Sequence, residues 1–155
     1  MNEKVAKKVG EAYAFASVLE ETFTRNESVM RSLFDSYADL MKETVQSQQD
    51  ELRSIAEEFG MSEVVLPKAE RTSVKIQNMA DMYVGDEWDN PVEVLEWMSF
   101  FVGGAVIHWQ LIAGSAEAMG HESFLGVAQE GTDYYHSLLD ELKEYAISIG
   151  KERAV

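Results

Sequence analysis

Residues 90–120, NPVEVLEWMSFFVGGAVIHWQLIAGSAEAMG, read as one long helix with both ends marked. Asn90 is placed to cap the N-terminus, Pro91 suits the first helical position, and Glu93 completes a variant of the capping box. Gly120 stops the helix after Met119. Residues 94–113 are long enough to cross a bilayer. Glu96, His108 and Gln110 interrupt them, however, the flanks are acidic and there is no second span, so no membrane crossing is expected. A helix apolar nearly all round needs partners instead, either within its own bundle or in a second subunit. Gly103, Gly104 and Ala105 at its centre cost about 1 kcal/mol per glycine in helix propensity, which implies close approach of another helix. Flanked by Trp97, Phe100, Phe101 and Trp109, they predict a homo-oligomer, in its simplest form a homodimer, through helix 91–119.

Working outward, Phe124, Ala128, Gly131, Tyr135, Leu138, Leu142, Tyr145 and Ile149 recur at helical spacing and predict a helix over 123–149, ending at Gly150. Upstream, Val5, Val9, Ala12, Ala16, Leu19 and Phe23 predict a helix over 3–24. Met30, Phe34, Tyr37, Met41, Val45, Leu52, Ile55 and Phe59 predict another over 28–59. The short links at 25–27 and 120–122 make each pair antiparallel. Between them, 60–90 reads as a long crossover: extended through VVLP before Pro67, a short helix through Ile76, Met79 and Tyr83, then the polar loop GDEWDN. The expectation is one all-α domain over 1–155, two antiparallel hairpins and a crossover, the ferritin-like arrangement of a four-helix bundle.

Composition narrows the function classes. The chain has 13 Lys and Arg against 28 Asp and Glu, a net charge of −15, which repels phosphate backbones and speaks against nucleic-acid binding. Lys4, Lys7 and Lys8 form the only basic cluster, and Glu3 and Glu11 balance it. Absence of cysteine excludes disulfides, thiolate metal sites and a Cys nucleophile. The start, MNEKVAKKVGEAYAF, has no apolar core of a signal peptide, so a cytoplasmic protein is expected. No phosphate-binding glycine loop or nucleophile elbow is present, and enzymatic activity is not expected.

The stretch HWQLIAGSAEAMGHESFLGVAQEGTDYYHSLLDEL at 108–142 resembles the ferritin-like superfamily in its order: an apolar helix, a small-residue and Glu step, a short turn, then an acid-x-x-His helix with a Leu-rich end. SLFDSYADLMKETVQSQQDELRSIAEEFG at 32–60 is similar to the second helix of Dps-like and rubrerythrin-like members. The resemblance implies a di-metal centre handling iron or another divalent metal, with a carboxylate from the first and third helices and Glu-x-x-His from the second and fourth. On this chain the corresponding candidates are Glu11, Glu43, His108, Asp133 and His136. The pattern departs from the family's: an Asp opens the motif at 133, Gln46 stands where the second helix needs a histidine, and His108 stands where the third needs a carboxylate. Counted from the hairpin turns, Glu11 comes level with Glu43 and His108 with Asp133.

Facing points the other way. Asp133 and His136 share a polar stripe with Gln129, Asp140 and Lys143, opposite the apolar seam, and Glu43 lies near Asp39 and Asp50. His108 reads as a buried imidazole bonded to Gln48 and Thr44. The expectation is a degenerate metal centre in a structural or interaction module. The alternatives are an iron-handling protein and, from eight Met and sixteen aromatic residues, a binder of apolar ligands.

Overall fold

The computed structural model describes residues 1–35 and 37–155, which form six α-helices and, among those residues, no strand. They are α1 (Glu3–Arg25), α2 (Glu27–Phe34), α3 (Tyr37–Glu58), α4 (Ser62–Val84), α5 (Pro91–Met119) and α6 (Glu122–Arg153). Side-chain pairs fix their directions. Glu20 meets Gln46 and Gln49 while Tyr13 meets Arg53, so α1 and α3 are antiparallel. Phe15 with Phe101 and Glu11 with His108 set α5 antiparallel to α1. Glu58 meets His121 while Gln48 meets Tyr135, so α6 is antiparallel to α3, and the tight turn at Gly120 folds α6 back on α5, where Trp109 lies on Gly131 and Tyr135. All six helices contribute to one buried core, in which α1, α3, α6 and α5 are neighbours in that order.

The expected crossover is itself a helix. Val64, Val65 and Leu66 are helical, not extended, and Pro67 is accommodated within the second turn of α4. At that depth the missing N–H frees only the carbonyl of Glu63, and the helix continues because Val65, Ala69, Ile76, Ala80 and Val84 form a buried seam. α4 runs parallel to α1, with Val65 against Gly10 and Gln77 bonded to Glu21. A Cβ on Gly10 would stand 2.6 Å from the Val65 carbonyl oxygen, so glycine is what permits this approach.

The helix expected over 28–59 is broken after Phe34, where Asp35 takes a positive φ of 39°. Ser36, within that expected helix, lies outside the described residues. α2 turns aside to bury Met30, Leu33 and Phe34, the last edge-on to Tyr145 of α6. At the other end of the chain α6 continues through Gly150 to Arg153, with Lys151 and Arg153 in its last turn complementing the helix dipole.

Within one chain the most enclosed helix is α1, not the more apolar α5. α1 buries residues on nearly every side, including Ala6, Val9, Gly10, Ala12, Ala14, Ala16 and Leu19, because its small side chains admit α3, α4 and α5 together. α5 keeps Asn90 as its cap, accepting from the Val92 N–H, and Gly120 in the left-handed conformation, yet leaves Phe100, Ile107 and Leu111 about half exposed. His121 caps α6 by accepting the Phe124 N–H at Nδ1, while its Nε2 meets Glu58 at the end of α3.

Two glycines in α6 separate packing from propensity. A Cβ on Gly131 would fall inside the Trp109 ring, whereas one on Gly126 would meet nothing. Gly131→Ala is expected to destabilise the fold by about 1–3 kcal/mol. Gly126→Ala should stabilise it by up to about 1 kcal/mol. Thermal unfolding of the two variants beside the parent checks both signs.

Candidate functional site

The most polar buried cluster centres on Glu11, whose side chain is 12% exposed. It rests on α1 where the Gly10 contact draws α4 in, which brings Lys68 Nζ to 3.0 Å from one carboxylate oxygen. Lys8, one turn earlier on α1, reaches the other oxygen at 2.7 Å. His108 Nε2 of α5 stands 3.2 Å from that same oxygen. Burial pushes the Glu11 carboxyl up, but hydrogen bonds and charge from Lys8 and Lys68 outweigh it and hold the group below the usual Glu range.

His108 Nδ1 is 2.8 Å from the Gly104 carbonyl, and the ring leans on Phe15 at 4.8 Å. Both nitrogens therefore face acceptors, and both donate when the ring is charged. The expected knot with Gln48 and Thr44 is not formed. Gln48 instead accepts from the Tyr135 hydroxyl at 3.2 Å, because the wall between α3 and α6 belongs to Tyr135, while His108 faces α1 and α4.

Of the five candidate ligands, only Glu11 and His108 are brought together. Glu43, Asp133 and His136 are exposed, and His136 Nε2 meets only Gln110, at 3.3 Å. Glu11 is not level with Glu43. Since α2 folds off the line of α3, the pairing of α1 with α3 shifts: Tyr13 sits beside Arg53, and Lys42, next to Glu43, lies over Phe23. Twelve residues of helix, roughly 18 Å, separate Glu43 from the level of Glu11. Among the described residues no group of three or more His, Cys, Asp and Glu could hold a metal ion.

Beside the Glu11 cluster a cavity of about 420 Å³ opens between α1, α4 and α5. Lys8, Lys68 and Lys75 border it, together with Phe15, Trp97 and Phe101. Lys68 and Lys75 escape a reading that is extended before Pro67 and starts a short helix only near Ile76, which separates the two lysines. Taken as helical, Lys68, Thr72, Lys75 and Met79 fall on one face at spacings of four, three and four. No protein-family model, curated protein or solved structure matches this chain.

The lowered pKa of Glu11 gives stability that is complete above the unfolded carboxyl value and is lost as pH falls through the folded one. Lys8 is 43% exposed, which discounts its share. Glu11→Gln is expected to cost about 1–2 kcal/mol at neutral pH. The loss should shrink as pH falls below the usual Glu range, measured by urea unfolding of parent and variant at a series of pH values.

Proposed function

We propose that this chain is a ferritin-like bundle with a degenerate metal centre, serving as a non-catalytic interaction module that pairs with a second copy of itself through the outer face of α5. Two antiparallel pairs, α1 with α3 and α5 with α6, joined by the full-length return of α4, support the ferritin-like reading. The donor set does not fit a two-metal centre. The one buried carboxylate already holds two ammonium groups, and Glu43, Asp133 and His136 lie on exposed faces.

The observation that carries the pairing is a palindrome on α5. Its apolar window is only 39% buried, and its outward face carries, in order, Phe100, Gly103, Ile107, Leu111 and Gly114. Phe100 and Ile107 are 62% and 56% exposed, and a Cβ on Gly103 or Gly114 would meet nothing. When two copies cross antiparallel with a dyad at Ile107, Phe100 falls opposite Gly114 and Gly103 opposite Leu111. Phe100 and Leu111 then each meet a glycine, Ile107 meets its own copy, and Glu96 meets Ala118 in place of a like charge. Such isologous complementarity gives a use to two glycines that the fold of one chain leaves without any.

Sedimentation at micromolar concentration is expected to give a dimer, and Ile107→Glu, which sets two carboxylates against each other at the dyad, a folded monomer. A parent chain that sediments as a monomer throughout that range overturns the pairing. Metal analysis of protein purified without chelator is expected to find no stoichiometric iron, and His108→Ala and His136→Ala to leave any background Fe(II) oxidation unchanged.

A further inference from the structure

The cavity between α1, α4 and α5 is polarised along its length. At one end stand Lys8, Glu11, Lys68 and His108; at the other, Ile76, Met79, Trp97 and Phe101. Helix register makes this a true separation, because α1 and α4 run parallel and α5 opposes them, so low positions on α1 and α4 share a level with high positions on α5. From the level of His108 to that of Trp97 is eleven residues of α5, roughly 16 Å. Lys75 precedes Ile76 on α4, level with the apolar end, and, among the described residues, forms no ion pair.

The sign of the charge is against the trend of the molecule. In a chain of net charge −15, this wall collects three ammonium groups and a single carboxylate, and Lys8 and Lys68 already cover that carboxylate. An anion is repelled by the protein as a whole and attracted here, whereas an apolar body gains by leaving water among Ile76, Met79 and the aromatic rings. The volume falls within the ordinary range of small-ligand sites, about 300–1,000 Å³. From these features we infer that the cavity binds an amphipathic monocarboxylate with a medium-length acyl chain, its head group held by the Lys68 and Lys75 ammonium groups on α4 and its tail against Ile76, Trp97 and Phe101. The site adjoins the face assigned to pairing and shares Phe100 with it, but the inference does not rest on that assignment.

The probe is sodium dodecanoate, titrated calorimetrically below its micelle concentration into the full-length chain. Saturable binding at one site per chain with a micromolar Kd is expected. Lys75 and Met79 are both exposed, so Lys75→Glu and Met79→Glu should leave thermal stability unchanged while each weakens binding at least tenfold, one through the head group and the other through the tail. Dodecyltrimethylammonium has the same tail with the opposite charge and is favoured by the net charge of the protein; it is expected to bind at least tenfold more weakly. The inference is overturned by absence of saturable dodecanoate binding, by affinity within twofold of the parent in both variants, or by equal or tighter binding of the cation.

Discussion

Helix α1 is covered by three other helices, and only small side chains make that possible. The tightest point is Gly10, where the α4 backbone at Val65 comes closer than any Cβ would permit. Close packing of this kind leaves no room for a slightly larger residue, since protein interiors lack slack on the scale of a methylene group. The same approach delivers Lys68 to Glu11, so the one carboxylate buried among the described residues gains its second lysine through the backbone contact at the neighbouring Gly10. The cavity is the other consequence. α4 is pinned to α1 at its N-terminal end, and between α4 and α5 the wall consists of lysine stems and aromatic rings.

Glycine serves α5 and its neighbours in two distinct ways. Facing inward, Gly104 lies against the Phe15 ring, which a Cβ there would meet at 3.3 Å, and Gly131 across the helix pair lies under Trp109. Facing outward, Gly103 and Gly114 receive nothing from their own chain. The helix accepts the conformational cost of all of them, and dispersion contacts with an aromatic ring offset it only on the inner side. This asymmetry separates the part of α5 that folds the chain from the part available to a second one. It also accounts for a helix of such uniform hydropathy being buried along one face only.

A chain this acidic limits where partners or ligands can approach. Surfaces rich in carboxylates repel a second copy and any anion alike, and acids are sparse on the outer stripe of α5 and in the lysine-bordered cavity. Glu11 is the exception within the cavity, and its two lysine partners remove its charge from consideration. His108 completes the ring around it. Its second nitrogen is taken by the helix backbone at Gly104.

Periodicity and capping chemistry were enough to identify an all-helical chain and to mark α5 between Asn90 and Gly120, since both signals reside in residues near one another in sequence. Glu11 and His108 could be named from their chemical type, and Asp133 and His136 placed on a polar stripe, for the same reason. Three matters were decided in three dimensions. α4 forms despite Pro67 because a seam of Val65, Ala69 and Ile76 has α1 to bury against, and no local rule records that partner. The turn at Asp35 removes α2 from the line of α3 and so moves Glu43 away from Glu11 by several turns, a displacement invisible when residues are counted along one continuous helix. Lys68 meets Glu11 because a glycine lets two backbones touch. Local sequence sets which way a segment coils and which face avoids water, whereas the neighbour that covers the face is selected by the packing of the whole chain.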